Sequence, residues 1–194
     1  KHAFQVGADA LITSTHKALP GYSASALLLA RTTLLSAERL EQSFETTHTT
    51  SPAGAPLASI DGVRALLETR GEALIGDLLS NIHRFKEMAQ AEFALPIFLY
   101  STDFPEGRFD PSKIVLRVQQ LGASGVEIEQ DLQAKGIRVE MADRDTIVFL
   151  ATIADSQADF DLLADVLIPI LKKRQEQRRE SATALSWSVV PQRA

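Results

Sequence analysis

From Val63 to Met88, apolar residues fall at Val63, Leu66, Leu67, Leu74, Leu78, Ile82, Phe85 and Met88, close to the spacing of a helix with one buried face. A helix this long dominates any arrangement of the chain, because the segments on either side of it must be organised at its two ends. Ser59 is the expected N-cap, with Asp61 in the first turn facing the positive end of the dipole. Gly71 and Gly76 weaken helix propensity locally and predict a kink or a break. After Pro96 the pattern changes. Phe104–Pro111 holds Pro105, Gly107 and Pro111 and reads as a connector. Lys113–Val118 then reads as a strand, Gly125–Lys135 as a helix, and Ile137–Ala142 with Thr146–Thr152 as two strands joined through Asp143-Arg144-Asp145. Asp159–Gln177 closes the series as a helix. That β-α-β-β-α order predicts a compact α+β unit in which helices cover an antiparallel pair.

Ahead of the long helix the chain is organised differently. Ala10-Leu11-Ile12-Thr13 and Ala26-Leu27-Leu28-Leu29-Ala30 are short continuous apolar runs, the pattern of strands buried on both faces in an α/β sheet. Between them lies a polar loop from Ser14 to Ser25 carrying Pro20 and Gly21, a common position for an active site. A second loop, Thr46–Pro56, is rich in Thr, Ser, Pro and Gly. The 194 residues suit one large domain or two small ones, and a hydrophobic content of 45% suffices for a core.

Composition removes several function classes. The chain has no cysteine, which excludes disulfide frameworks, CxxC redox sites and thiolate zinc sites and accords with a reducing, cytoplasmic setting. A net charge of −5 gives no electrostatic reason for a nucleic-acid partner. The basic residues Lys172, Lys173, Arg174, Arg178 and Arg179 sit at a helix end, interspersed with Glu176 and Glu180 and without aromatics for base stacking. The four histidines, His2, His16, His48 and His83, lack metal-ligand spacing, so no metal site is expected. No apolar run is long enough to span a membrane. Gly21-Tyr22-Ser23-Ala24-Ser25 approaches the Gly-x-Ser-x-Gly nucleophile elbow, with His48 or His83 as base, but its fifth position is Ser and no oxyanion loop precedes it.

Lys17 is the residue best suited to covalent chemistry. A lysine amine in a partly desolvated pocket loses basicity and condenses with carbonyl compounds, and Ser14 and Thr15 beside it offer hydroxyls suited to a phosphate. On residue type alone a solvated loop lysine is the commoner reading, since most loop lysines do nothing chemical.

The segment Ser14-Thr15-His16-Lys17-Ala18-Leu19-Pro20, preceded by Gly7-Ala8-Asp9, resembles the cofactor-lysine segment of the ornithine/lysine/arginine decarboxylases, pyridoxal-phosphate enzymes of the aspartate-aminotransferase fold. Thr49-Thr50-Ser51-Pro52, with Ala58-Ser59-Ile60-Asp61 and Arg64, is similar to that family's Thr-Thr-Ser-Pro loop and the helix after it. Asp110-Pro111-Ser112-Lys113-Ile114, Gly122-Ala123-Ser124-Gly125 and Ile137-Arg138-Val139-Glu140 resemble its small-domain segments, in the correct order. The resemblance implies an α/β chain: the end of a fold-type-I pyridoxal-phosphate large domain over residues 1–95, then a small α+β domain and tail over 96–194. It further implies that Lys17 forms a Schiff base with pyridoxal 5'-phosphate, that Ser14 binds the cofactor phosphate, and that His16 lies beside the cofactor. Thr50 and Ser51 would lie near the substrate, in a dimer whose active sites are at the interface. The implied reaction is decarboxylation of arginine, lysine or ornithine to the amine, in a cytoplasmic homodimer or larger homo-oligomer.

The chain also departs from the family. Gly21-Tyr22-Ser23-Ala24-Ser25 stands where many members carry a Gln near Tyr22 or Ser23, a departure that bears on substrate identity. The family's Asp for the pyridinium nitrogen would fall before Lys1, and Pro191-Gln192-Arg193-Ala194 resembles the approach to a further C-terminal domain. The expectation is therefore an internal portion that is inactive by itself. The competing readings are another fold-type-I enzyme of aminotransferase type and a non-catalytic interaction module of the same fold.

Overall fold

The computed structural model describes residues 3–31, 34–47 and 53–176. Strands β1 (Ala10–Ser14) and β2 (Ala26–Ala30) form an antiparallel pair, in register from Ala10 opposite Ala30 to Ser14 opposite Ala26. Helix α1 (Ala37–Thr47) comes next, and then α2 (Gly54–Gln90). A three-stranded antiparallel sheet takes the order β3 (Lys113–Arg117), β5 (Thr146–Leu150), β4 (Met141–Ala142). Helices α3 (Gly125–Gln133) and α4 (Gln157–Glu176) pack against it.

The core lies in this second part. Ile114 and Leu116 on β3 alternate with half-buried neighbours, as do Ile147 and Phe149 on β5, so one sheet face is buried beneath helices. Phe85 and Ile82 from α2, Ile128 and Leu132 from α3, and Phe160, Leu167 and Leu171 from α4 fill that interior. Phe85 meets Phe98 edge-on at 5.8 Å between ring centroids and Phe160 at 6.1 Å. Gly125 lets the start of α3 press onto the turn before β5: a Cβ there would lie 2.3 Å from the Asp143 carbonyl oxygen and 2.5 Å from that of Thr146. The basic end of α4 is spent on ion pairs, Arg174 with Asp131 and Glu127, and Lys172 with Glu92.

Several sequence expectations are corrected. The two early apolar runs are strands, but none of their residues is buried, and Ile12 is 74% exposed. Burial on both faces requires a layer on each side of the sheet, and within the described residues β1 and β2 pair only with one another. Helix α2 begins at Gly54, so Ser59 and Asp61 lie inside it instead of at its start; Ala53 is the N-cap residue and gives no side-chain cap. The helix runs unbroken through Gly71 and Gly76, because a cost of about 1 kcal/mol per glycine is small against a long, cooperatively formed helix docked on a core. At 37 residues it extends roughly 55 Å, reaching from the early loop to the core. Thr46 and Thr47 belong to α1, which the sequence reading does not anticipate, and of Ile137–Ala142 only Met141–Ala142 is strand. The tail from residue 177 lies outside the described residues.

Candidate active site

Residues 15–25 connect the two strands of the early hairpin, and their conformation is set by hydrogen bonds internal to the loop. The Thr15 N–H donates to the Ser25 carbonyl at 3.0 Å, continuing the ladder one step past Ser14 and Ala26. Gly21 N–H donates to the Thr15 carbonyl at 2.7 Å. Only glycine permits this approach: a Cβ at position 21 would lie 2.3 Å from the Thr15 carbonyl oxygen.

Two hydroxyls close the loop from inside. Thr15 and Ser25 are 1% and 6% exposed, and their side-chain oxygens lie 2.5 Å apart. Ser25 Oγ also donates to the Tyr22 carbonyl at 2.5 Å. Burying hydroxyls this thoroughly is tolerable because each has a partner. The loop is further tied to α2, where the Tyr22 N–H donates to Ser59 Oγ at 3.0 Å and Ser59 Oγ donates to the Pro56 carbonyl at 2.8 Å. Pro20 and Tyr22 face Ala58, Ser59, Gly62 and Leu66 of that helix across a shallow cleft.

Three consecutive side chains therefore take three environments. Thr15 points inward. His16 is half-buried, with Nδ1 lying 2.7 Å from the Ser25 carbonyl oxygen and 3.1 Å from the Ser25 N–H. Lys17 is exposed, and among the described residues its amine has neither a hydrogen bond nor an ion pair. The desolvated pocket expected around Lys17 is not formed by the described residues, because no second layer covers the hairpin. Ser14 ends β1, half-buried, and its hydroxyl also has no partner among the described residues. An accessible amine and, three residues before it, a hydroxyl without a partner among the described residues are groups that would suit a phosphorylated aldehyde: the amine could condense with the carbonyl and the hydroxyl could donate to the phosphate. Thr50 and Ser51 lie outside the described residues, as does His48.

Other candidates from the sequence are placed elsewhere. His83 is exposed on α2 and pairs with Glu87 at 3.2 Å, so it does not serve Ser23 as a base. Among the described residues no group of three acidic or histidine side chains is arranged to hold a metal ion. Within the same residues no helix is long and apolar enough to cross a membrane. Sequence reasoning does not single out Thr15, Ser25, Gly21 and Ser59 as a structural set. The hairpin register is the signal for the first two: once Ser14 opposes Ala26, residues 15 and 25 must face each other.

A sequence model of the family described as Orn/Lys/Arg decarboxylase, major domain, matches residues 5–104, just over half of the chain and inclusive of the loop just described. The arginine decarboxylase of Bacillus subtilis (strain 168) is 31% identical over 181 residues, covering 90% of this chain and 36% of that protein. The arginine decarboxylase of Halalkalibacterium halodurans is 30% identical over 175 residues, covering 85% of this chain and 34% of that protein. The chain thus spans about a third of the length of these relatives. Among solved structures, the Francisella novicida lysine decarboxylase LdcF superposes with a TM-score of 0.66 over 85% of this chain and 27% of its own, at 22% identity. The Escherichia coli constitutive lysine decarboxylase gives 0.66 over 86% of this chain and 28% of its own, at 18% identity, and both likenesses establish the α/β fold. The chain belongs to the Orn/Lys/Arg decarboxylase family.

Proposed function

We propose that the protein containing this chain decarboxylates a basic amino acid with pyridoxal 5'-phosphate, and that Lys17 is the residue to which the cofactor is attached. The observation that carries this reading is the Lys17 amine, exposed and unpartnered among the described residues on a loop fastened at both ends, inside the segment that the family model matches. Pyridoxal phosphate, when bound, supplies an electron sink for the pair left at Cα as carbon dioxide departs.

The chain's own residues do the rest. Lys17 Nζ would hold the cofactor through its aldehyde carbon and would be the amine that the substrate's α-amino group displaces. Ser14 Oγ, at the end of β1, would donate to the cofactor phosphate. His16, held through Nδ1 against the Ser25 backbone, would lie beside the cofactor. Thr50 and Ser51 are the proposed substrate-proximal residues, and the proposed assembly is a homodimer or larger. Arginine is the substrate to assay first, because the curated relatives at 30–31% identity are named arginine decarboxylases.

The test is borohydride reduction of the protein expressed from its natural reading frame, after addition of pyridoxal phosphate, with peptide mapping by mass spectrometry. A saturable adduct on Lys17, together with carbon dioxide release from arginine, lysine or ornithine that Lys17→Ala abolishes, is the expected result. Labelling scattered over surface lysines, or undiminished release in Lys17→Ala, would overturn the reading.

A further inference from the structure

Hydroxyl chemistry orders the hydrogen bonds of the loop. Ser25 Oγ has one proton, and the Tyr22 carbonyl 2.5 Å away can only accept it. The proton between Thr15 Oγ1 and Ser25 Oγ, 2.5 Å apart, therefore belongs to Thr15. This sets a one-way chain from Thr15 to Ser25 to the Tyr22 carbonyl. On its other side Tyr22 donates its N–H to Ser59 Oγ, which donates to the Pro56 carbonyl. The chain thus runs from the residue before His16 to the first turns of α2.

The same network bears on His16. His16 Nδ1 faces both the Ser25 carbonyl oxygen at 2.7 Å and the Ser25 N–H at 3.1 Å, and the shorter contact favours the proton on Nδ1, because an unprotonated nitrogen would set two lone pairs against each other at 2.7 Å. Neutral His16 then has a lone pair at Nε2. Which tautomer exists depends on where the Ser25 backbone sits, and the Thr15 and Tyr22 contacts hold it there.

We propose that Thr15, Ser25 and Ser59 are positioning residues: their hydroxyls lock His16 in the Nδ1–H tautomer and couple the Lys17 loop to helix α2. The link to cofactor binding rests on Lys17 as the attachment residue, whereas the tautomer is a property of the loop alone. None of the three touches the reacting atoms. They act through His16 and through the direction in which Lys17 leaves the loop.

The test uses the natural full-length protein carrying Thr15→Val, Ser25→Ala or Ser59→Ala, with Thr15→Ser as the conservative variant. Imidazole nitrogen-15 chemical shifts of His16 report the tautomer without cofactor, and the pyridoxal phosphate concentration for half-maximal borohydride trapping at Lys17 reports the coupling. Wild-type His16 is expected as the Nδ1–H form, shifting toward Nε2–H in Thr15→Val and Ser25→Ala. Half-maximal trapping should require about fivefold more cofactor in those variants and in Ser59→Ala, the usual effect of one lost hydrogen bond. Thr15→Ser, which keeps the hydroxyl and loses only the methyl, should restore both readouts. Unchanged shifts in Thr15→Val and Ser25→Ala would overturn the proposal, as would a failure of Thr15→Ser to restore them. If wild type forms no Lys17 adduct, the cofactor reading falls, while the His16 shifts still decide whether the hydroxyls position the ring.

Discussion

Replacing Gly21 by alanine puts the loop geometry to a quantitative test. The added Cβ would lie 2.3 Å from the Thr15 carbonyl oxygen, 2.9 Å from its carbon and 3.0 Å from Thr15 Oγ1. The nearest of these is about 1 Å short of ordinary van der Waals contact, and two of the three atoms are backbone, so no side-chain rotation relieves the clash. The loop must open by that amount, which stretches the 2.7 Å bond from Gly21 N–H to the Thr15 carbonyl beyond hydrogen-bonding range. One lost hydrogen bond costs about 1 kcal/mol, and the overpacking costs about 1–3 kcal/mol more. The closed loop is then disfavoured by roughly 2–4 kcal/mol. A displacement of about 1 Å in a reacting group typically lowers turnover on the order of 100-fold. Amide hydrogen exchange over residues 15–25 should show lost protection, and the carbon dioxide release proposed for the full-length protein should fall by that factor. The core lies elsewhere, so the main unfolding transition by circular dichroism should stay in place. Wild-type protection of the loop amides in Gly21→Ala, or wild-type turnover, would refute the argument.

Three further outcomes concern α2 and the second part of the fold. Phe85→Ala removes a ring with no exposure and its contacts to Phe98 and Phe160, and urea unfolding should report a loss of about 3–5 kcal/mol; a loss under about 1 kcal/mol would mean that this cluster is not the core. Gly76→Ala meets nothing within 4 Å and should raise stability by about 1 kcal/mol without altering trapping at Lys17, which a melt and the borohydride assay check together. Lys86 is 3% exposed, its amine 2.8 Å from the Leu99 carbonyl and 4.8 Å from the Tyr100 ring centre, and burial lowers its pKa below the usual lysine value while Asp103 opposes the shift. Because the folded state releases this proton more readily than the unfolded chain, stability linked to Lys86 rises with pH as the medium approaches 10.5 from below. Urea unfolding at increasing pH should show wild type gaining on Lys86→Met, a comparison that cancels the opposite contribution of Tyr100, whose burial raises its own pKa. A constant difference across that range would contradict the assignment.

Features that depend on near neighbours along the chain were legible in the order of residues. Apolar spacing located α2, and the short segments Lys113–Val118 and Thr146–Thr152 located β3 and β5, because helices and strands form from residues near one another along the chain. The order of residues around Lys17 carried the family resemblance, which the matching family model over residues 5–104 bears out. Features that depend on partners distant in sequence took shape only in the folded chain. Composition alone makes β1 and β2 look like interior strands, yet burial is a property of what covers a sheet, and their residues are not buried. Ser59 looks like a helix cap because serine favours that position, but the helix starts five residues earlier and leaves its hydroxyl to hold Tyr22. The buried amine of Lys86 has no sequence signal, since its partners Leu99 and Tyr100 come from the connector beyond the helix. Thr15 and Ser25 are invisible as a pair for the same reason: ten residues separate them, and their 2.5 Å contact exists only once the hairpin has closed.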